Sequence, residues 1–226
     1  MTPEIDNIGA AIVKGVCNPE AKDLAVDLAE FELGTLLDEG VLKEIPIIKS
    51  VIACRKTWTA IHDQLFLRKV AGFLLACPRL TDVEKETFFR EHLSDSKKAR
   101  NLGDAIVLIL DKLDDLEKPE MLAKVFAAFA RGKIPCECFR RLASAVDIGF
   151  IEDLKVLAYK PEAYWFPYLP NLVRTNLVIF QVHEGLQDFL RGTAGVGLNL
   201  QTGEVALGFY PSELGQIFIK CMNDSF

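Results

Sequence analysis

Apolar residues recur at helical spacing along most of the chain and change to strand-like alternation only near its end. Between positions 101 and 150 three helical patterns follow one another with almost no spacer. Leu102, Ile106, Ile109, Leu113 and Leu116 alternate steps of four and three, which sets them on one stripe, with Asp104, Asp111, Lys112 and Asp115 left for water. Pro119 fits the first position of the next helix, where its missing N–H costs nothing, and Leu122, Val125, Phe126 and Phe129 form that helix's stripe. Gly132 is placed to stop it, because glycine enters the left-handed conformation freely. Pro135 opens the third helix, whose apolar side is lined by Phe139, Leu142, Val146 and Phe150. Short connections predict that the three helices are roughly antiparallel neighbours. Each large buried side chain would then contribute about 1.5–3 kcal/mol.

Upstream, residues 1–17 are poorly patterned, and Asn18-Pro19-Glu20 reads as a helix start followed by inward Leu24, Leu28 and Phe31. Ile45 to Ile61 is a basic amphipathic helix with Lys49, Arg55 and Lys56 on its polar flank. Phe66, Val70, Phe73 and Cys77 belong to a further helix ended by Pro78. Thr81-Asp82-Val83-Glu84 has the spacing of a capping box, starting a helix that carries Val83, Phe88 and Phe89. Downstream of position 150 the helical pattern runs on through Leu154 to Leu157, and the texture then changes at Lys160. Pro161, Pro167 and Pro170 surround an aromatic run, and Leu177 to Val182 reads as a buried strand. Val196, Leu198 and Leu200 alternate, as do Val205, Leu207 and Phe209, with Gln201-Thr202-Gly203-Glu204 between them as a hairpin turn. Ser212 caps a last helix with Ile217, Phe218 and Cys221. The pattern predicts a mainly α fold: a helical bundle over 18–160 and, over 161–226, a small α+β tail of a strand plus a β-hairpin.

Composition narrows the function. The chain of 226 residues is half apolar, which excludes extensive disorder. Its net charge of −6 is uneven: residues 1–50 hold −6, residues 51–150 hold +3 and residues 151–226 hold −3. An acidic chain without a basic stripe argues against non-specific nucleic-acid binding. The start Met1-Thr2-Pro3-Glu4-Ile5-Asp6 lacks the pattern of a secretory signal, and no apolar run approaches a membrane span. Six dispersed cysteines then read as reduced residues of a cytoplasmic protein.

Candidate chemistry is sparse. Cys136-x-Cys138 lacks the second pair that structural zinc requires, and at helical spacing the two thiols diverge. His62-Asp63 and His183-Glu184 pair an imidazole with a carboxylate, and His92 stands alone; no nucleophile signature accompanies any of them. The glycine-rich run Gly192 to Gly197 is neither a phosphate loop nor a dinucleotide fingerprint. Asp111, Asp114, Asp115, Glu117 and Glu120 form an acidic corner, read as a solvated charge run. No catalytic residue, metal ligand or cofactor is expected. Tyr164, Trp165, Phe166 and Tyr168 read either as a plug between body and tail or as an exposed anchor for a protein partner.

The stretch Tyr210-Pro211-Ser212-Glu213-Leu214-Gly215, after a strand and a hairpin, resembles the wing end of winged-helix domains. The resemblance implies a winged-helix-like tail over about the last fifty residues. The helix before the wing would offer Arg174, Thr175 and Asn176 to nucleic acid, while the wing tip from Gln201 to Glu204 has no Lys or Arg. Phe126 to Ile134 with Glu137-Cys138-Phe139 looks like a calcium-hand linker and also like the repeated turn of tellurite-resistance-type bundles; Ala and Arg stand where calcium needs oxygen ligands. As a whole the chain resembles uncharacterised bacterial helical proteins of mobile-element or phage-defence neighbourhoods. The expected function is therefore that of a non-enzymatic interaction or regulatory protein, accessory to such a system, with another protein as partner. The alternatives are a membrane-surface effector acting through helix 45–61 and a DNA-binding regulator acting through the tail.

Overall fold

A computed structural model describes residues 9, 12–13, 61–159, 169–184, 195–200 and 203–226. The chain is mainly helical, with a small antiparallel sheet near its C-terminus, as the pattern predicts. It divides into two compact units, Met1–Pro135 and Cys136–Phe226. Of the three consecutive helices expected between 101 and 150, the first two lie in the first unit and the third opens the second.

The first unit is organised around α4 (Lys118–Ala130). All of its residues except Glu120 and Lys124 are buried, so it has almost no polar face. It packs against α1 (Ile61–Ala76), which brings Phe66, Leu67, Val70, Phe73 and Leu74 into the core. Phe126 meets Phe73 edge to face at 5.6 Å, and Phe88 stands at 5.8 Å from Phe126 and 5.7 Å from Phe129. Such pairs add roughly 0.5–1.5 kcal/mol each beyond their buried area. Phe88 ends α2 (Asp82–Phe88), which opens with the expected capping box. The Glu84 N–H donates to the Thr81 hydroxyl at 3.3 Å, and the Thr81 N–H donates to the Glu84 carboxylate at 2.7 Å. Val83 and Phe89, the other apolar residues expected of this helix, are exposed. A π-helical turn over Phe89–Leu93 connects α2 to α3 (Ser96–Lys112), whose cap is Asp95.

α3 is shorter than its apolar repeat. It ends at Lys112, so Leu113 is buried just beyond it and Leu116 is exposed. The acidic corner terminates it: the Glu117 N–H donates to the Asp115 carboxylate at 2.7 Å, a local turn that competes with helical continuation. Inside α3 the buried stripe runs Leu102, Gly103, Ile106, Val107 and Leu110. Gly103 lies so close to helical Gly9 that a Cβ on Gly9 would stand 2.5 Å from the Gly103 carbonyl carbon. Pro119 occupies the second rather than the first helical position of α4, after Lys118. That helix stops as expected at Gly132, where φ is +69°. The Gly132 N–H donates to Phe129 and the Lys133 N–H to Ala128, both at 2.9 Å, which satisfies the last carbonyls of the helix.

The second unit begins with α5 (Cys136–Ile148) and α6 (Ile151–Tyr159), followed by a 3-10 turn (Leu169–Thr175). β1 (Val178–Glu184), β2 (Gly195–Leu200) and β3 (Gly203–Pro211) form an antiparallel sheet in the order β1-β3-β2. β1 runs against β3 from Val178↔Pro211 to Glu184↔Val205, and the hairpin pairs Gly195↔Gly208 through Leu200↔Gly203. α7 (Glu213–Asn223) is capped by Ser212 and packs against α5, α6 and β3. Phe218, Cys221 and Met222 are its buried anchors. The Asn223 side-chain amide donates to the Ala158 carbonyl at 2.9 Å, joining the ends of α6 and α7. Phe139, Leu142 and Val146 are buried as the third stripe requires, but Phe150 is not. The helix ends at Ile148; a Cβ on Gly149 would lie 2.8 Å from the Ala145 carbonyl oxygen and 2.9 Å from a Leu154 methyl, and the chain turns Phe150 outward.

The helix expected after Asn18 and the basic helix expected over 45–61, up to the start of α1, lie outside the described residues. No helix among the described residues is long and apolar enough to cross a membrane.

Candidate functional site

An exposed apolar corner lies in the second unit, where α5 ends, α6 begins and the 3-10 turn passes. Arg174 fixes this corner by donating from Nη2 to the Ile148 carbonyl at 2.9 Å. Three apolar residues are brought to that neighbourhood and left in solvent: Ile148 at 42 %, Phe150 at 62 % and Val173 at 38 % exposure. Below them Asp153, buried in the first turn of α6, accepts a hydrogen bond from the Asn171 amide at 3.2 Å. Burial raises the Asp153 carboxyl above the ordinary aspartate value, Asn171 opposes this, and the neighbouring Glu152 charge adds to it. This carboxylate is a clamp between α6 and the 3-10 turn.

Arg174, Thr175 and Asn176, the three residues singled out for nucleic acid, are all engaged within the unit. Thr175 is 4 % exposed; its hydroxyl donates to the Leu172 carbonyl at 2.6 Å and accepts from the Leu177 N–H at 3.2 Å. Asn176 sits at φ 60°, a left-handed position that Asn tolerates, and its carbonyl accepts from the Ser212 hydroxyl. The segment works as a hinge pin joining the 3-10 turn, β1 and the cap of α7. Tyr164, Trp165, Phe166 and Tyr168 lie outside the described residues.

The remaining candidates resolve into local structure. Burial pushes the Cys138 thiol up, and it pushes Cys221 up to about 12, the nearby Cys138 adding to the effect. Thiols held protonated are poor nucleophiles and poor metal ligands. Among the described residues no group of three His, Cys, Asp or Glu side chains is arranged to hold a metal ion. The acidic corner is an ion-paired turn: Lys118, 1 % exposed, donates to the Asp114 carboxylate, and that bond holds the carboxyl below its usual value. Asp111 contributes its backbone carbonyl to Lys69 at 2.9 Å. His92 rests in the π-helical turn against Phe129 and Phe88, at 4.7 and 5.2 Å between ring centres. Burial lowers its pKa, the neighbouring Glu91 carboxylate counteracts this, and Lys98 reinforces it. His62 lies in α1 and His183 in β1, with side chains outside the described set; of the glycine-rich run, residues 192–194 also fall outside it.

No family model, no curated protein and no solved structure matches the chain. The corner at Ile148, Phe150 and Val173 escapes a reading of periodicity because Phe150 falls four residues after Val146 and so extends the apolar stripe on paper. Gly149, where a Cβ would press on the Ala145 carbonyl oxygen and a Leu154 methyl, is the signal that separates it from that stripe.

Proposed function

We propose that the chain acts by binding another protein, without a reaction of its own, through the corner formed by Ile148, Phe150 and Val173. The observation that carries the reading is Phe150 itself: a large ring held in water at a helix junction, beside a hydrogen bond from the exposed Asn171 amide to the buried Asp153 carboxylate. Removing such a ring from water on binding is worth about 25 cal/mol per Å² of apolar area covered. Rigidly presented aromatic side chains surrounded by polar groups are what interaction hot spots are made of. Here Asn171, Glu152 and Arg174 supply the polar rim. Two side chains weigh against the DNA-binding alternative, since base readout needs them free to reach a groove: the Thr175 hydroxyl is buried and hydrogen-bonded, and Arg174 donates to the Ile148 carbonyl. A cytoplasmic setting goes with the thiols of Cys77, Cys136, Cys138 and Cys221, which are unbridged. An accessory role in a bacterial defence or mobile-element system is supported by the sequence resemblance alone.

The test is a photo-crosslinking amino acid placed at position 150, with position 144 on the exposed side of α5 as control. The reading expects a discrete protein adduct at 150 that is absent at 144. Equal, diffuse labelling at both positions would remove the corner as a contact surface.

A further inference from the structure

We draw no further inference here: the strongest candidate, the apolar surface patch of Ile148, Phe150 and Val173 at the α5–α6 junction, already belongs to the proposed contact, and nothing in the structure shows what covers it.

Discussion

A Cβ built on Gly215 would lie 2.0 Å from the carbonyl oxygen of Leu177. The first turn of α7 is therefore pressed backbone to backbone onto the residue that precedes β1. The same carbonyl accepts the Ser212 N–H at 2.9 Å, and the Gly215 N–H donates to the Ser212 hydroxyl at 3.0 Å. Helix cap, strand entry and glycine form one joint. Gly215→Ala has nowhere to place its methyl group without moving backbone. It is expected to destabilise the second unit by roughly 1–3 kcal/mol, the usual range for overpacking. Urea denaturation followed by circular dichroism checks this; an unchanged midpoint would contradict the close approach.

The end of α4 makes a separate claim. Gly132 holds φ +69° with no atom within 4 Å of where a Cβ would go, so only conformational strain is at stake there. Gly132→Ala should cost about 1–2 kcal/mol, the penalty of a left-handed L-residue, and Gly132→Asn less. The ordering of the two variants in thermal unfolding is the readout. Equal loss in both would mean that the turn is held by something other than backbone conformation.

Several joints could be read from residues close together in the sequence. Thr81 with Glu84, Gly132 after Ala130 and Ser212 before Glu213 are caps whose chemistry is complete within about six residues, and each forms as expected. Features that depend on distant partners were not legible. Nothing around Gly215 announces Leu177, and nothing around Gly9 announces Gly103. The apolar repeat also overran two helix ends, counting Leu116 and Phe150 as core because periodicity ignores the Asp115 turn and Gly149. The second of these errors hid the candidate site, which consists of what the core leaves out.

Asp153 gives a pH-dependent test. Its folded-state pKa is raised by burial, so its contribution to stability is fully present below the unfolded aspartate value of about 3.9 and is lost as pH rises through the folded value. At neutral pH the ionised carboxylate is a cost that an amide avoids, while an amide oxygen can still accept from Asn171. Asp153→Asn should therefore match or exceed the native protein in stability at pH 7 and lose that advantage in acid. Denaturant midpoints across pH 3 to 8 decide it. A variant weakened at neutral pH and unaffected in acid would reverse the sign.

The capping box predicts the opposite trend. The Glu84 carboxyl is held low first by the Thr81 N–H, with Arg131 at 3.8 Å adding attraction. Its stabilisation is present above the unfolded glutamate value of about 4.3 and fades as pH falls through the depressed folded value. Thr81→Ala should cost about 1 kcal/mol at pH 7, typical of a lost N-cap, and less in strong acid where Glu84 is protonated. The pH-dependent part of that loss is the Thr81 hydroxyl's bond to the Glu84 carboxylate at 3.0 Å, so a loss that stays constant with pH would show that this bond contributes nothing to the cap.

The central claim concerns Phe150 and its neighbours, and affinity capture tests it most directly when native protein is compared with the Phe150→Asp/Val173→Asp double variant. Both positions are exposed, so the variant should keep the native circular dichroism spectrum. The account predicts that a protein retained by the native chain is lost from the folded double variant. Retention of the same protein at equal yield by both would contradict it.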